Sequence, residues 1–225
     1  MRGIRHWFFE LRMKVRSPRH ARTHKLLLII FGLAVLSGCS PPPVPDVTYY
    51  RLPPPATLPH ADKPLTLLPI EVDTFDAEGV YSEQALIYAV GGNSDALRTY
   101  HYQIWSDPPT HALQARLIAA LRESGIAALV TDRLPASTQA LRIHGTIRRY
   151  ERIGDGKSFK VAVTLDMRIE LDEGEPLIEQ EYQAEQPAAD ATLNGTVAAF
   201  GAAVDQVFGE FYHDLVALQG EPRAR

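Results

Sequence analysis

The residues of this 225-residue chain that could do chemistry are few, and their spacing suits little of it. Beyond residue 39 the histidines are His60, His101, His111, His144 and His213; none forms an H-E-x-x-H pair, so zinc catalysis has no visible ligand set. Cys39 is the only cysteine, which excludes an intrachain disulfide and a cysteine-based zinc cluster. No G-x-S-x-G elbow offers a serine nucleophile. The stretch from Glu151 to Gly156-Lys157-Ser158 has the tail of a phosphate-binding loop, but Glu151 stands where the first glycine belongs, and a strand pattern rather than a helix follows. It reads as a hairpin turn. Glu170, Asp172, Glu173 and Glu175 crowd a second turn without the spacing of a calcium loop, and read as a solvated tip. On its residues the chain is taken as no enzyme, with no cofactor and no resident metal.

Charge divides the chain in two. Residues 1–38 carry eight basic side chains and one acid, whereas residues 39–225 carry 15 basic and 26 acidic ones. A body that acidic, without a basic stripe, excludes nucleic acid as a partner, because phosphate neutralisation needs clustered Lys and Arg. Residues 26–36 are eleven apolar residues behind a basic leader. As a helix they reach roughly 16 Å, too short to span a bilayer stably and of the length found in a secretory signal peptide. Met13-Lys14 is a more ordinary start for such a segment than Met1. The run closes on Leu36-Ser37-Gly38-Cys39, which is similar to the lipobox of bacterial lipoproteins. That resemblance implies lipidation of the Cys39 thiol and cleavage just before it. Three acyl chains, at about 0.8 kcal/mol per buried CH₂, would hold essentially permanently. Ser40, in place of an aspartate, implies the periplasmic face of the outer membrane.

Elements follow from pattern. Residues 41–64 hold nine of the 17 prolines, a composition suited to a semi-rigid spacer, interrupted by the strand-like run 47–52. Residues 65–72 suggest a strand that Pro69 pushes to an edge or a bulge. Strands are expected over 84–90 and 97–104. A helix then opens with Asp107 as cap and Pro108 in the first position; Leu113, Leu117, Ile118 and Leu121 form its stripe and Gly125 ends it. Residues 126–131 suggest a buried strand. Alternation over 140–185 predicts an antiparallel meander with one buried face, and a 3.6-residue period over 192–218 predicts one long helix that covers it. The fold class is therefore α+β, an antiparallel-dominated sheet covered on one face by two helices, the C-terminal one long. The organisation is a signal peptide (1–38), a lipidated proline-rich tether (39–46), a single domain (47–219) and a tail (220–225).

The order of these features resembles the ABC-type transport auxiliary lipoproteins, the PqiC-like family. The resemblance rests on the lipobox, Thr48-Tyr49-Tyr50-Arg51-Leu52, a Leu-Leu-Pro-Ile strand, Trp105-Ser106-Asp107-Pro108 opening a helix, and the long last helix. The acidic stretch around Asp76-Ala77-Glu78-Gly79 departs from the family's pattern. The resemblance implies an auxiliary subunit of an ABC/MCE-type lipid transport system, anchored through Cys39 and docked to a periplasmic MCE-type protein, with self-association left open. Tyr49, Tyr50 and Trp105 are the candidate partner contacts. Alternation along a strand turns one of the two tyrosines outward; Trp105 is either a contact or a core ring that staples the helix start to the sheet. The alternative is a structural or assembly lipoprotein with no transporter partner.

Overall fold

A computed structural model describes residues 43–91, 96–154, 156–171 and 176–220. The chain forms two compact units, Met1–Pro45 and Asp46–Arg225, and the fold below is that of the second. The signal segment, Cys39, Gly92-Asn93, Asp155, the acidic tip at 172–175 and the tail beyond 220 lie outside the described residues.

Nine strands form one mixed sheet among the described residues: β1 (Thr48–Tyr50), β2 (Ile70–Val72), β3 (Asp76–Ala77), β4 (Ala85–Val90), β5 (Leu97–Trp105), β6 (Val130–Thr131), β7 (Leu141–Gly154), β8 (Phe159–Leu171) and β9 (Pro176–Pro187). Two helices accompany them, α1 (Pro109–Ser124) and α2 (Leu193–Gly220). The long ladders are antiparallel: β7 with β8 from Leu141↔Leu171 to Gly154↔Phe159, and β8 with β9. This is the expected meander. On the other edge of β7, β2, β3 and β4 pair in succession, all parallel, at Ile70↔Leu141, Asp76↔Thr146 and Tyr88↔Arg152. One long strand thus serves as ruler for three short ones.

The alternation that predicts β8 is borne out in its burial. Val161, Val163, Leu165, Met167 and Ile169 are fully buried on the face that α2 covers. From α2 itself Val197, Phe200, Val204, Val207, Phe208, Phe211 and Leu215 enter the same core. Phe208 meets Phe75 edge-on at 6.4 Å between ring centres, and Phe211 meets Tyr182 at 5.8 Å. Phe75 fits because residue 145 is glycine: a Cβ there would lie 2.6 Å from the ring. Leu113, Leu117 and Leu121 of α1 complete the core, and Gly125 ends that helix in the left-handed region (φ 69°), where glycine has no Cβ to clash.

Three local expectations are corrected. Pro69 does not push its strand to an edge: β2 lies between β6 and β7, and Pro69 sits just before it, where only its carbonyl is needed, accepting from Leu141 N–H at 3.0 Å. Asp107 does not cap α1. Pro108 takes the cap position and Pro109 the first turn, while Asp107 accepts from the Ser106 hydroxyl at 3.0 Å. Pro109 removes one of the free amides a cap would satisfy. Of the stretch 126–131 only Val130–Thr131 pairs as a strand; Ile126 is buried, but Leu129 is exposed. No described helix is long and apolar enough to cross a membrane.

Candidate functional site

Strand β1 forms an edge of the sheet and runs parallel to β5, with Tyr49 opposite Ile104 and Tyr50 opposite Trp105. Alternation sends the two tyrosines apart. Tyr49 is 66 % exposed, and Tyr50 is half-buried against the core. Trp105 is buried, its ring 5.6 Å from that of Tyr150 and 5.4 Å from that of Phe200, which itself stacks on Tyr150 at 4.4 Å. This three-ring cluster joins β5, β7 and α2. Tyr50 and Trp105 line one cavity of about 380 Å³ together with Leu52, Pro53, Arg116 and Tyr150. Tyr49 is not part of it, and Cys39 lies outside the described residues.

The proline-rich segment after β1 straps across both helices. Arg116 is buried, and it donates to Asp205 Oδ1 from Nε (3.0 Å) and Nη2 (2.6 Å). It also donates to the carbonyls of Pro53 and of Pro54. Asp205 Oδ2 accepts from Ala56 N–H at 3.0 Å, the Tyr212 hydroxyl donates to the Pro59 carbonyl at 2.8 Å, and Ala61 N–H donates to the Ser124 carbonyl at 2.8 Å. A spacer composition therefore becomes a fastened element. The physical match is one of donors to acceptors. Proline peptides offer only carbonyls, and a guanidinium offers five donors and no acceptor.

Burial pushes the Tyr150 phenol well above its ordinary pKa, the nearby Arg116 charge acting in the opposite sense, so it stays a neutral hydroxyl. The cavity is thus walled largely by rings and prolines, with Arg116 engaged by Asp205 and the strap and the exposed Arg51 and Asp107 also lining it. The histidines lie elsewhere. His144 has Asp73 at 2.8 Å from Nδ1 and Glu170 at 3.0 Å from Nε2, His60 Nδ1 is 3.1 Å from the Glu123 carbonyl, and His213 is exposed beside Asp214. Among the described residues no cluster of His, Cys, Asp and Glu is arranged to hold a metal. Sequence reasoning passed over Arg116, Asp205 and Tyr150. Arg116 had left a trace: it follows Leu113 by three positions and so lies on the apolar stripe of α1, where a charge needs a partner.

Comparison with known proteins matches residues 50–210 to the family described as ABC-type transport auxiliary lipoprotein component. No curated protein matches the chain. Among solved structures, a protein from Xanthomonas campestris carrying the family label DUF330 is similar, with a TM-score of 0.66 at 18% identity, covering 77% of this chain and 97% of that one. An uncharacterized protein follows with a TM-score of 0.59 at 13% identity, covering 76% and 99%. At these identities the likeness is one of fold.

Proposed function

This chain belongs to the family of ABC-type transport auxiliary lipoprotein components, and on that premise we propose that it is the outer-membrane-anchored, periplasmic subunit of an intermembrane lipid transport system. Cys39 carries the lipid anchor. The domain docks the periplasmic MCE-type protein of the system, supports envelope integrity and turns over no substrate. The observation that carries this reading is the family match over residues 50–210. The β1 edge supports it as the docking surface: Tyr49 projects from an edge strand, and Tyr50 lines the adjoining cavity. Trp105, being buried, serves that surface by holding Tyr50 and the start of α1 in place.

A photo-reactive residue placed at Tyr49 in living cells tests this, with the fully exposed Leu67 as the comparison position. Capture of an MCE-type protein from Tyr49 and not from Leu67 is the expected result. Capture of no transporter component from either position, with a gene that stands apart from ATPase and permease genes, overturns the reading in favour of a structural or assembly lipoprotein.

A further inference from the structure

We propose that the outer edge of β9 is a docking site for a basic, extended segment of a partner protein, which adds to the sheet as a further strand. β9 ends the sheet on the side remote from β1: among the described residues it pairs with β8 alone, and β8 joins it to β7. In an antiparallel edge strand every second residue turns its N–H and C=O away from its neighbour, a row of donors and acceptors that another extended chain satisfies. Between the terminal prolines of β9, Pro176 and Pro187, no further proline interrupts that row. Its register with β8 is unbroken from Lys160↔Pro187 to Ile169↔Ile178.

β9 and α2 form the two walls of a groove of about 630 Å³, lined by Glu181, Tyr182, Gly209, Glu210, His213 and Asp214, among others. Gly209 gives the groove its clearance. A glycine in the middle of a helix costs about 1 kcal/mol against alanine, and nothing among the described residues lies within 4 Å of the Cβ that this one lacks. Its absence leaves room for another backbone to approach α2 closely. The walls are also charged in one sense. From Pro176 to Gly220 the chain carries seven acidic residues and no Lys or Arg. Lys160 meets Glu185 at 2.6 Å and Arg116 meets Asp205. Glu210 accepts from the Gln206 side chain at 3.0 Å and Asp214 from the Tyr182 hydroxyl at 2.8 Å, neutral donors that leave both charges in place.

Alternation along β9 turns Tyr182 and Ala184 into the core under α2 and leaves Glu179, Glu181 and Glu185 on the opposite face. An added strand therefore meets Glu210 and Asp214 with one set of its side chains and Glu181 with the other, and Lys or Arg suits both. A second copy of this chain suits neither. Pairing β9 with another β9 would bring the three glutamates of each copy together, and like charges across two strands destabilise the pair. Main-chain hydrogen bonds supply the affinity of such a strand addition, and the carboxylates select the partner. The site lies at the other end of the sheet from Tyr49 and does not depend on the transporter reading.

The full-length lipoprotein in nonionic detergent is titrated with a blocked peptide of alternating Lys and Thr, and with one of alternating Glu and Thr as the charge control. Binding is read by calorimetry and by amide hydrogen exchange. The expected result is saturable binding of the Lys peptide alone, with exchange slowed over residues 177–186 and unchanged over β1. Joint Glu181→Lys and Glu210→Lys changes reverse the charge at two exposed positions, and Gly209→Leu fills the groove without touching its charge. Each variant should weaken binding about tenfold or more while unfolding at no lower a temperature than the wild type. No saturable binding of the Lys peptide, equal binding of the Glu peptide, binding that leaves exchange over 177–186 unchanged, or variants that bind like the wild type overturn the proposal. Protection of 177–186 that grows with protein concentration in the absence of peptide also overturns it, by assigning the edge to a second copy.

Discussion

Arg116, on α1, engages two segments that are remote from it in sequence: the strap at Pro53 and Pro54, and Asp205 on α2. Its side chain is 5% exposed, and that of Asp205 is 20% exposed. Removing one partner of such a pair leaves the other charge buried alone, at a cost of about 3–5 kcal/mol. Arg116→Ala should therefore lower stability by that order in urea unfolding, whereas the joint change of Arg116 to Met and Asp205 to Leu should cost less than the two single changes added together. The charge on the α1 stripe was legible in sequence. Its partner was not, because a contact across 89 positions leaves no trace in local periodicity. The tyrosines give a second prediction at this scale. Burial raises Tyr150 above 10, and burial followed by hydrogen bonds to Glu151 and Asp214 raises Tyr81 and Tyr182 likewise. Above pH 10 the unfolded chain gives up these protons while the folded chain keeps them. Stability, fully present below pH 10, is then lost as pH rises. In Tyr150→Phe the fall in urea midpoint between about pH 8 and about pH 11 should be smaller than in the wild type.

Secondary elements were legible in proportion to their length. Thirteen residues of β8 and 28 of α2 carry enough alternation or helical period to declare themselves, whereas β3 and β6, two residues each, exist only because β7 and β2 offer a pairing edge. The long helix takes the covering role that its period predicts, with Phe200, Phe208 and Phe211 buried within the domain. Phe208→Ala should then cost about 3–5 kcal/mol in a urea melt. Two glycines of α2 test the strap as an element. Replacing a mid-helix glycine by alanine gains about 1 kcal/mol of helix propensity. At Gly209 nothing lies within 4 Å of the new Cβ, so Gly209→Ala should stabilise the domain by roughly that amount. At Gly201 the Cβ would lie 2.5 Å from Pro53 Cγ and 2.9 Å from its Cδ. Overpacking costs about 1–3 kcal/mol, so there the sign reverses. Gly201→Ala should be less stable than the wild type and cut faster by protease within residues 53–61. A Gly201→Ala protein as resistant as Gly209→Ala would mean that the strap is not held against α2.

At the scale of the whole molecule, the matter is what holds so acidic a body at a membrane. No described helix can cross one, and 26 acidic against 15 basic residues beyond position 38 offer an anionic bilayer repulsion rather than a polybasic grip. The proposed covalent anchor at Cys39, which rests on the resemblance of Leu36-Ser37-Gly38-Cys39 to a lipobox, needs no such grip. This part of the reading came from sequence alone, since a processing signal is written in consecutive residues, whereas the strap is written in contacts. Cys39→Ser should block incorporation of a fatty-acid analogue and leave a precursor that keeps residues 1–38. Fractionation alone would not report this, because the retained apolar run at 26–36 can hold a precursor on the membrane. Metabolic labelling and intact mass are the deciding measurements. The urea midpoint of the mutant domain should match the wild type, because the described strands and helices are built from Thr48–Gly220. Equal labelling of the mutant and wild-type chains would remove Cys39 as the attachment point.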